Sequence, residues 1–182
     1  MSDMTPDECL HALEGLQPEI EGYAELLVRK GAAVRPGQEL VVFAPVEGAD
    51  FARIVVAAAY GAGVGHVTVI WDDDALKRLE YENVDIEYFR STPGWRREQL
   101  NSLAESGASF LFLEGSDPSA LDGIDPAKPA AAMLARNRDC RSFREGMDFG
   151  HNAWCIAGVP VVAWARKVFE GQPDEEAVYH LW

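Results

Sequence analysis

Apolar residues in this chain follow two rhythms that alternate along its length. From Asp7 to Arg29, residues such as Leu10, Leu13, Leu16, Tyr23, Leu26 and Leu27 recur at near-helical spacing, which predicts one helix or two with a break at Pro18. Gly31 ends that stretch, and Pro36-Gly37 turns the chain into Glu39-Leu40-Val41-Val42-Phe43-Ala44, a nearly continuous apolar run. Such a run marks a strand buried on both faces. The same alternation continues with a helix over about 49–62, a strand over 66–71, helices over about 74–82 and 95–106, and a strand over 109–114. Asp125-Pro126 then supplies a cap and a first-turn proline for one long helix reaching about Arg144. A strand over 153–157, a short helix over 161–169 and a final helix from Asp174 to Trp182 complete the pattern. Four buried strands separated by helices predict an α/β fold, a doubly wound and mainly parallel sheet with helices on both faces.

Length and composition narrow the class without changing that picture. A chain of 182 residues buries roughly 70% of its unfolded surface in one core and is short for two full domains. No apolar run approaches a membrane span, and Asp3, Asp7 and Glu8 stand where a signal peptide needs basic residues, so a cytoplasmic protein is expected. Cys9, Cys140 and Cys155 are odd in number and widely spaced, which argues for reduced thiols over a disulfide framework or a metal knuckle. The net charge of −14 repels phosphate backbones and anionic lipid, so neither nucleic acid nor a membrane surface is an expected partner.

Several constellations carry possible chemistry. Gly61-Ala62-Gly63-Val64-Gly65 has the look of a dinucleotide loop, but it ends a helix and precedes a strand, the reverse of the order in which a helix amino terminus meets a pyrophosphate. A helix stop and turn is the reading that fits. Asp72-Asp73-Asp74 follows the second strand, on the edge where open α/β sheets bind ligands. Two readings stand: one aspartate caps the next helix while the others favour its positive end, or the three attract a hard cation. Glu47 past the first strand, and Glu114 and Ser116 past the third, share that edge; with Asp72 and Asp73 they are the cleft candidates. Arg136, Arg138, Arg141 and Arg144 lie on the predicted long helix, where they read as a solvated face paired with local acids. His11, His66, His151 and His180 are scattered, with no H-E-x-x-H helix, no nucleophile elbow and no phosphate-binding glycine-lysine loop. No residue is assigned as catalytic or as a metal ligand.

Two blocks near the ends carry a resemblance. Tyr23-Ala24-Glu25-Leu26-Leu27-Val28 runs into Val34-Arg35-Pro36-Gly37-Gln38, and Val161-Val162-Ala163-Trp164-Ala165-Arg166-Lys167-Val168-Phe169 matches them near the other end. With Ala44-Pro45-Val46-Glu47 and Trp71-Asp72-Asp73 between them, the stretch from about Glu21 to Phe169 resembles the amino-terminal domain of the metalloaminopeptidases typified by aminopeptidases T and S.

That resemblance implies a Rossmann-like fold of about four strands. It also implies a parent enzyme that removes amino-terminal residues from peptides with two divalent metal ions, zinc, cobalt or manganese, held in a carboxy-terminal domain outside this chain. Scaffold positions carry over: Pro36, Gly37 and Gln38, then Trp71, Asp73 and Tyr81, then Trp164 and Lys167. By this analogy residues 1–20 are a helical extension, 21–170 the α/β domain that walls the peptide cavity, and 171–182 the start of a junction to the catalytic domain. The parent is expected to dimerise, and the chain alone to be inactive. The final helix, lacking a carboxyl cap, is expected to fray or to pack on a neighbour. The alternative is a free-standing Rossmann-like binding or regulatory module without catalysis.

Overall fold

Helices and strands alternate from end to end in the computed structural model, which describes residues 13–182. The predicted start of the first helix, Cys9 and His11 lie outside the described residues. Helix α1 (Gln17–Leu26) opens with Pro18 in its first turn, where a missing N–H costs nothing, and Leu16 separates it from the helical residues 13–15. A wide π turn, Leu27–Gly31, ends it.

Four strands follow in order: β1 (Glu39–Pro45), β2 (His66–Asp72), β3 (Ser109–Glu114) and β4 (Trp154–Gly158). They form one all-parallel sheet in the spatial order β2-β1-β3-β4, with Phe43 beside Ile70 on one side and Phe112 on the other. Every parallel pair needs a helical crossover. Helix α2 (Ala49–Gly61) joins β1 to β2, and α3 (Asp74–Asn83), the short α4 (Ile86–Phe89) and α5 (Gly94–Glu105) join β2 to β3. The chain then passes through α6 (Ala127–Asp139) and α7 (Arg141–Asp148) to β4, and ends with α8 (Val162–Val168) and α9 (Asp174–Leu181).

Side chains alternate across the pleat, so the inner strands feed two cores. Leu40, Val42 and Ala44 of β1 and Leu111 and Leu113 of β3 face α1 and α2, where Val28, Ala52, Val55 and Ala59 complete the first core. Val41, Phe110 and Ile70 face the other way, against Leu100 and Ala104 of α5, Cys140, and Phe143 of α7. The expectation of four fully buried strands holds for β1 and β3. It fails at the edges: β2 buries only Ile70 and β4 only Ala157, because an edge strand has a neighbour on one side.

The single long helix predicted to reach Arg144 is two helices. The backbone breaks at Cys140, whose φ of −96° and ψ of 55° leave the helical region. Asn101 of α5 bridges the break, its Nδ2 donating to the Asp139 carbonyl at 3.2 Å and its Oδ1 accepting from the Phe143 N–H at 3.2 Å. One side chain thus satisfies a carbonyl that ends α6 and an N–H that starts α7. With the helix broken, the arginine stripe disperses.

The glycine run after α2 is a clasp. Gly65 lies so close to the preceding turn that a Cβ there would sit 2.6 Å from the Gly37 carbonyl oxygen, while the Gly37 N–H donates to Gly63 and the Gly65 N–H to Gln38. These bonds set the approach of β1 beside β2.

The final helix packs against this domain itself. Ala177 is fully buried, α9 packs on α8, Arg166 holds Asp174 through two bonds of 2.7 and 2.6 Å, and the Trp182 ring meets Phe51 edge-on at 5.2 Å. Tertiary packing supplies the stability that two turns of isolated helix lack.

Candidate functional site

In an open parallel sheet the crevice forms where neighbouring strands send their crossovers to opposite sides, at the carboxyl ends. Here that point lies between β1 and β3. A cavity of about 300 Å³ opens there, floored by Phe43, Ile70 and Phe112 and rimmed by Asp72, Asp74, Lys77, Glu114, Ser116, Arg96 and Arg136. Across the floor the rings of Phe43 and Phe112 stack 4.8 Å apart at 8°. At the back, Gly115 passes so near the next segment that a Cβ would fall 2.5 Å from the Val159 carbonyl oxygen.

Adjacent aspartates diverge. Asp73 caps α3, its Oδ1 accepting from the Leu76 N–H at 3.0 Å. Asp72 pairs with Lys77, and Asp74 lies 3.6 Å from the same ammonium while its Oδ2 accepts from the Asp117 N–H at 2.9 Å. The capping reading therefore describes Asp73, and the three carboxylates do not converge on a common cation. Among the described residues no three His, Cys, Asp or Glu side chains gather as metal ligands. The residues present do not fit a two-metal centre.

Of the five cleft candidates, Asp72, Glu114 and Ser116 share this cavity. Asp73 is withdrawn into the cap. Glu47 lines an adjoining cavity of about 410 Å³ with Asp74, Asp117 and Arg166. A larger groove of about 440 Å³, between Leu16, Tyr23, Trp164 and Trp182, is mostly apolar and gathers no set of opposed charges. The smaller switch-point cleft does.

The cations of the cleft were missed in the sequence. Lys77, Arg96 and Arg136 come from three different helices and share no motif. Arg96 is half-buried, and desolvation first, then the nearby Arg136, lowers its guanidinium from the ordinary value. Its Nη1 donates to Gln99 at 3.1 Å. The other three arginines of the predicted solvated face pair locally, as expected: Arg138 with Asp139, Arg141 with Glu145, and Arg144 with Asp148.

With fold and cleft in place, comparison with known proteins is decisive. A model of the thermophilic metalloproteases, M29, matches residues 16–182. This chain belongs to the M29 thermophilic metalloprotease family. Aminopeptidase AmpS of Bacillus subtilis is 35% identical over 170 residues, covering 93% of this chain and 42% of the relative. Aminopeptidase T of Thermus thermophilus shows the same identity and the same coverage. The solved structure of wild-type AmpT from Thermus thermophilus superimposes with a TM-score of 0.83 at 35% identity, over 92% of this chain and 42% of that one. The likeness to the amino-terminal domain of the M29 aminopeptidases therefore holds in sequence and in fold, and the chain spans about 42% of the length of these relatives.

Proposed function

We propose that this chain is the amino-terminal domain of a metal-dependent aminopeptidase, walling the peptide cavity and restricting access to it, with the two-metal catalytic centre on a further domain. The observation that carries this reading is the M29 match across residues 16–182, combined with coverage of only 42% of relatives named as aminopeptidases. The lack of convergent ligands among the described residues agrees with it. In this reading the α/β domain ends near residue 170 and α9 begins the junction, the substrates are peptides, the working assembly is a dimer, and the compartment is the cytoplasm. The described cysteines, Cys140 and Cys155, are both free thiols, as such a compartment favours.

An exchange experiment tests the role. Replace the matching 170 residues of Bacillus subtilis aminopeptidase AmpS with this chain and assay a ladder of peptides of increasing length, with zinc, cobalt or manganese added. The chimera is expected to keep metal-dependent release of amino-terminal residues while the dependence of kcat/KM on peptide length changes. The chain by itself is expected to show no turnover of amino-acid anilides. Metal-dependent turnover by the purified chain overturns the division of labour, and a folded, active chimera with an unaltered length profile overturns the cavity-wall role.

A further inference from the structure

Most arginines among the described residues of this acidic chain pair with a carboxylate, and the switch-point cleft holds two that do not. Eight arginines among the described residues lie within ion-pair distance of a carboxylate, and Arg35, Arg96, Arg97 and Arg136 do not. Of these four, Arg96 and Arg136 share one cavity and lie close enough for Arg136 to act on the Arg96 guanidinium. Two guanidinium groups facing one small space repel each other, an anion between them relieves that repulsion, and guanidinium forks match a carboxylate or a phosphate. Across the same cavity Glu114, exposed at the end of β3, has no ion-pair partner among the described residues. Lys77 is not available to it, being held by Asp72 and Asp74. The cleft therefore presents two unpaired cations, one unpaired carboxylate and, beneath them, the apolar floor of Phe43, Ile70 and Phe112.

We infer that this cleft binds a small zwitterion, a free α-amino acid with an apolar side chain. Its carboxylate lies between Arg96 and Arg136, its ammonium meets Glu114, and its side chain rests on the Phe43–Phe112 stack. The size agrees: about 300 Å³ is the lower end of the range for small-molecule sites and holds one amino acid with little to spare. A phosphate-bearing ligand fits the arginine pair but leaves Glu114 facing a like charge. A peptide of several residues exceeds the volume.

Calorimetric titration of the 182-residue chain with L-leucine tests the assignment. Saturable binding is expected at millimolar concentration or below. Arg136→Gln and Glu114→Gln should each weaken it about tenfold or more. Both side chains are exposed, so thermal melts of the two variants should match the parent chain and exclude misfolding as the cause. Leucinamide, which lacks the carboxylate, and N-acetyl-leucine, which lacks the ammonium, should each bind far more weakly than leucine. No saturable heat with leucine up to about 10 mM overturns the assignment. So does inorganic phosphate binding as tightly as leucine with no effect of Glu114→Gln, which would make the cleft a plain anion site. Failure on either count leaves the peptidase reading untouched, since nothing here uses the metal centre.

Discussion

The two faces of the sheet are built from different materials, and the difference separates stability from chemistry. The face under α1 and α2 is aliphatic: Leu40, Val42, Leu111 and Leu113 meet Val28, Val55 and a series of alanines that let the helices lie close. Its strand residues Leu40, Val42 and Leu111 are fully buried. The opposite face is aromatic, with Phe110 and Phe143 in edge contact at 5.0 Å and Phe43 stacked on Phe112. It closes near the amino ends of the strands and opens at their carboxyl ends, where Phe43 and Phe112 are only half-buried and floor the cleft. A flat aromatic surface left partly uncovered is a poor way to gain burial energy and a good way to seat a ligand.

The largest effect should come from the aliphatic face. Leu111 is fully buried there, and its neighbour in sequence, Phe112, points into the open one. Leu111→Ala is expected to cost about 3–4 kcal/mol through lost transfer energy and an unfilled cavity. Phe112→Ala removes a larger side chain yet should cost less, about 2–3 kcal/mol, because Phe112 is only partly buried and part of its ring already meets solvent. Urea unfolding of both variants measures the ratio. Equal costs would break the distinction between the faces.

Where the aromatic face does close, a buried polar clamp holds it. Asn152 is 4% exposed and its Nδ2 donates to the Ala104 carbonyl at 3.0 Å and the Ala108 carbonyl at 2.8 Å, tying the end of α5 to the segment before β4. Asn152→Ala leaves both carbonyls without that donor and should cost about 1–3 kcal/mol. Faster hydrogen exchange should then appear in α5 and β3 while α1 and α2 stay protected. Uniform loss of protection in all four elements would show that the two faces unfold as one unit.

Most of the fold was legible because the signals were local. Continuous apolar runs placed β1 and β3 within a residue of their observed ends, and Gly31, Pro36-Gly37 and Gly61–Gly65 marked the true stops. The break at Cys140 was not legible, since no glycine or proline stands there; the side chain that permits it, Asn101, is 39 positions away in sequence and acts only once α5 is docked. Burial of the edge strands was overestimated for a similar reason: apolar content does not say which strands have two neighbours. For the cleft, position relative to strand ends pointed to Asp72, Glu114 and Ser116. Arg96 and Arg136 lay hidden because a guanidinium acquires its role from what is absent around it.

The cap on α3 was legible as one of two readings of the three aspartates, and it borders the cleft. Asp73 accepts the Leu76 N–H, and α3 buries no side chain completely, so little else fixes its first turn. Asp73→Ala should lower stability by about 0.5–2 kcal/mol. Because Asp72 and Asp74 hold Lys77 at the rim from that same turn, the variant should also weaken leucine binding to the cleft, by less than Glu114→Gln does. A stability change confined to high magnesium or calcium would instead restore the cation reading of the three aspartates.

The smallest expected effect concerns pH, on the rim of the aromatic face. Asp139 ends α6 and clasps the turn after α4, accepting from Arg138 Nε at 2.7 Å and from the Thr92 N–H at 2.8 Å, while Arg138 Nη2 donates to the Arg90 carbonyl at 2.9 Å. The Arg138 bond first, and the Thr92 N–H second, hold the Asp139 carboxyl below its ordinary 3.8, at about 2. A carboxyl whose folded value lies below its unfolded one contributes stability above the unfolded value and loses it as pH falls through the folded value. The contribution should thus be complete above about pH 4–5 and disappear towards about pH 2. The exposed position of Arg138 keeps it small and sensitive to salt. Asp139→Asn retains the shape but cannot titrate, so its melting temperature should fall below that of the parent chain at pH 6 and converge with it near pH 2. Added salt should narrow the gap at pH 6, and a gap that persists unchanged at pH 2 would show that the side chain acts by shape alone.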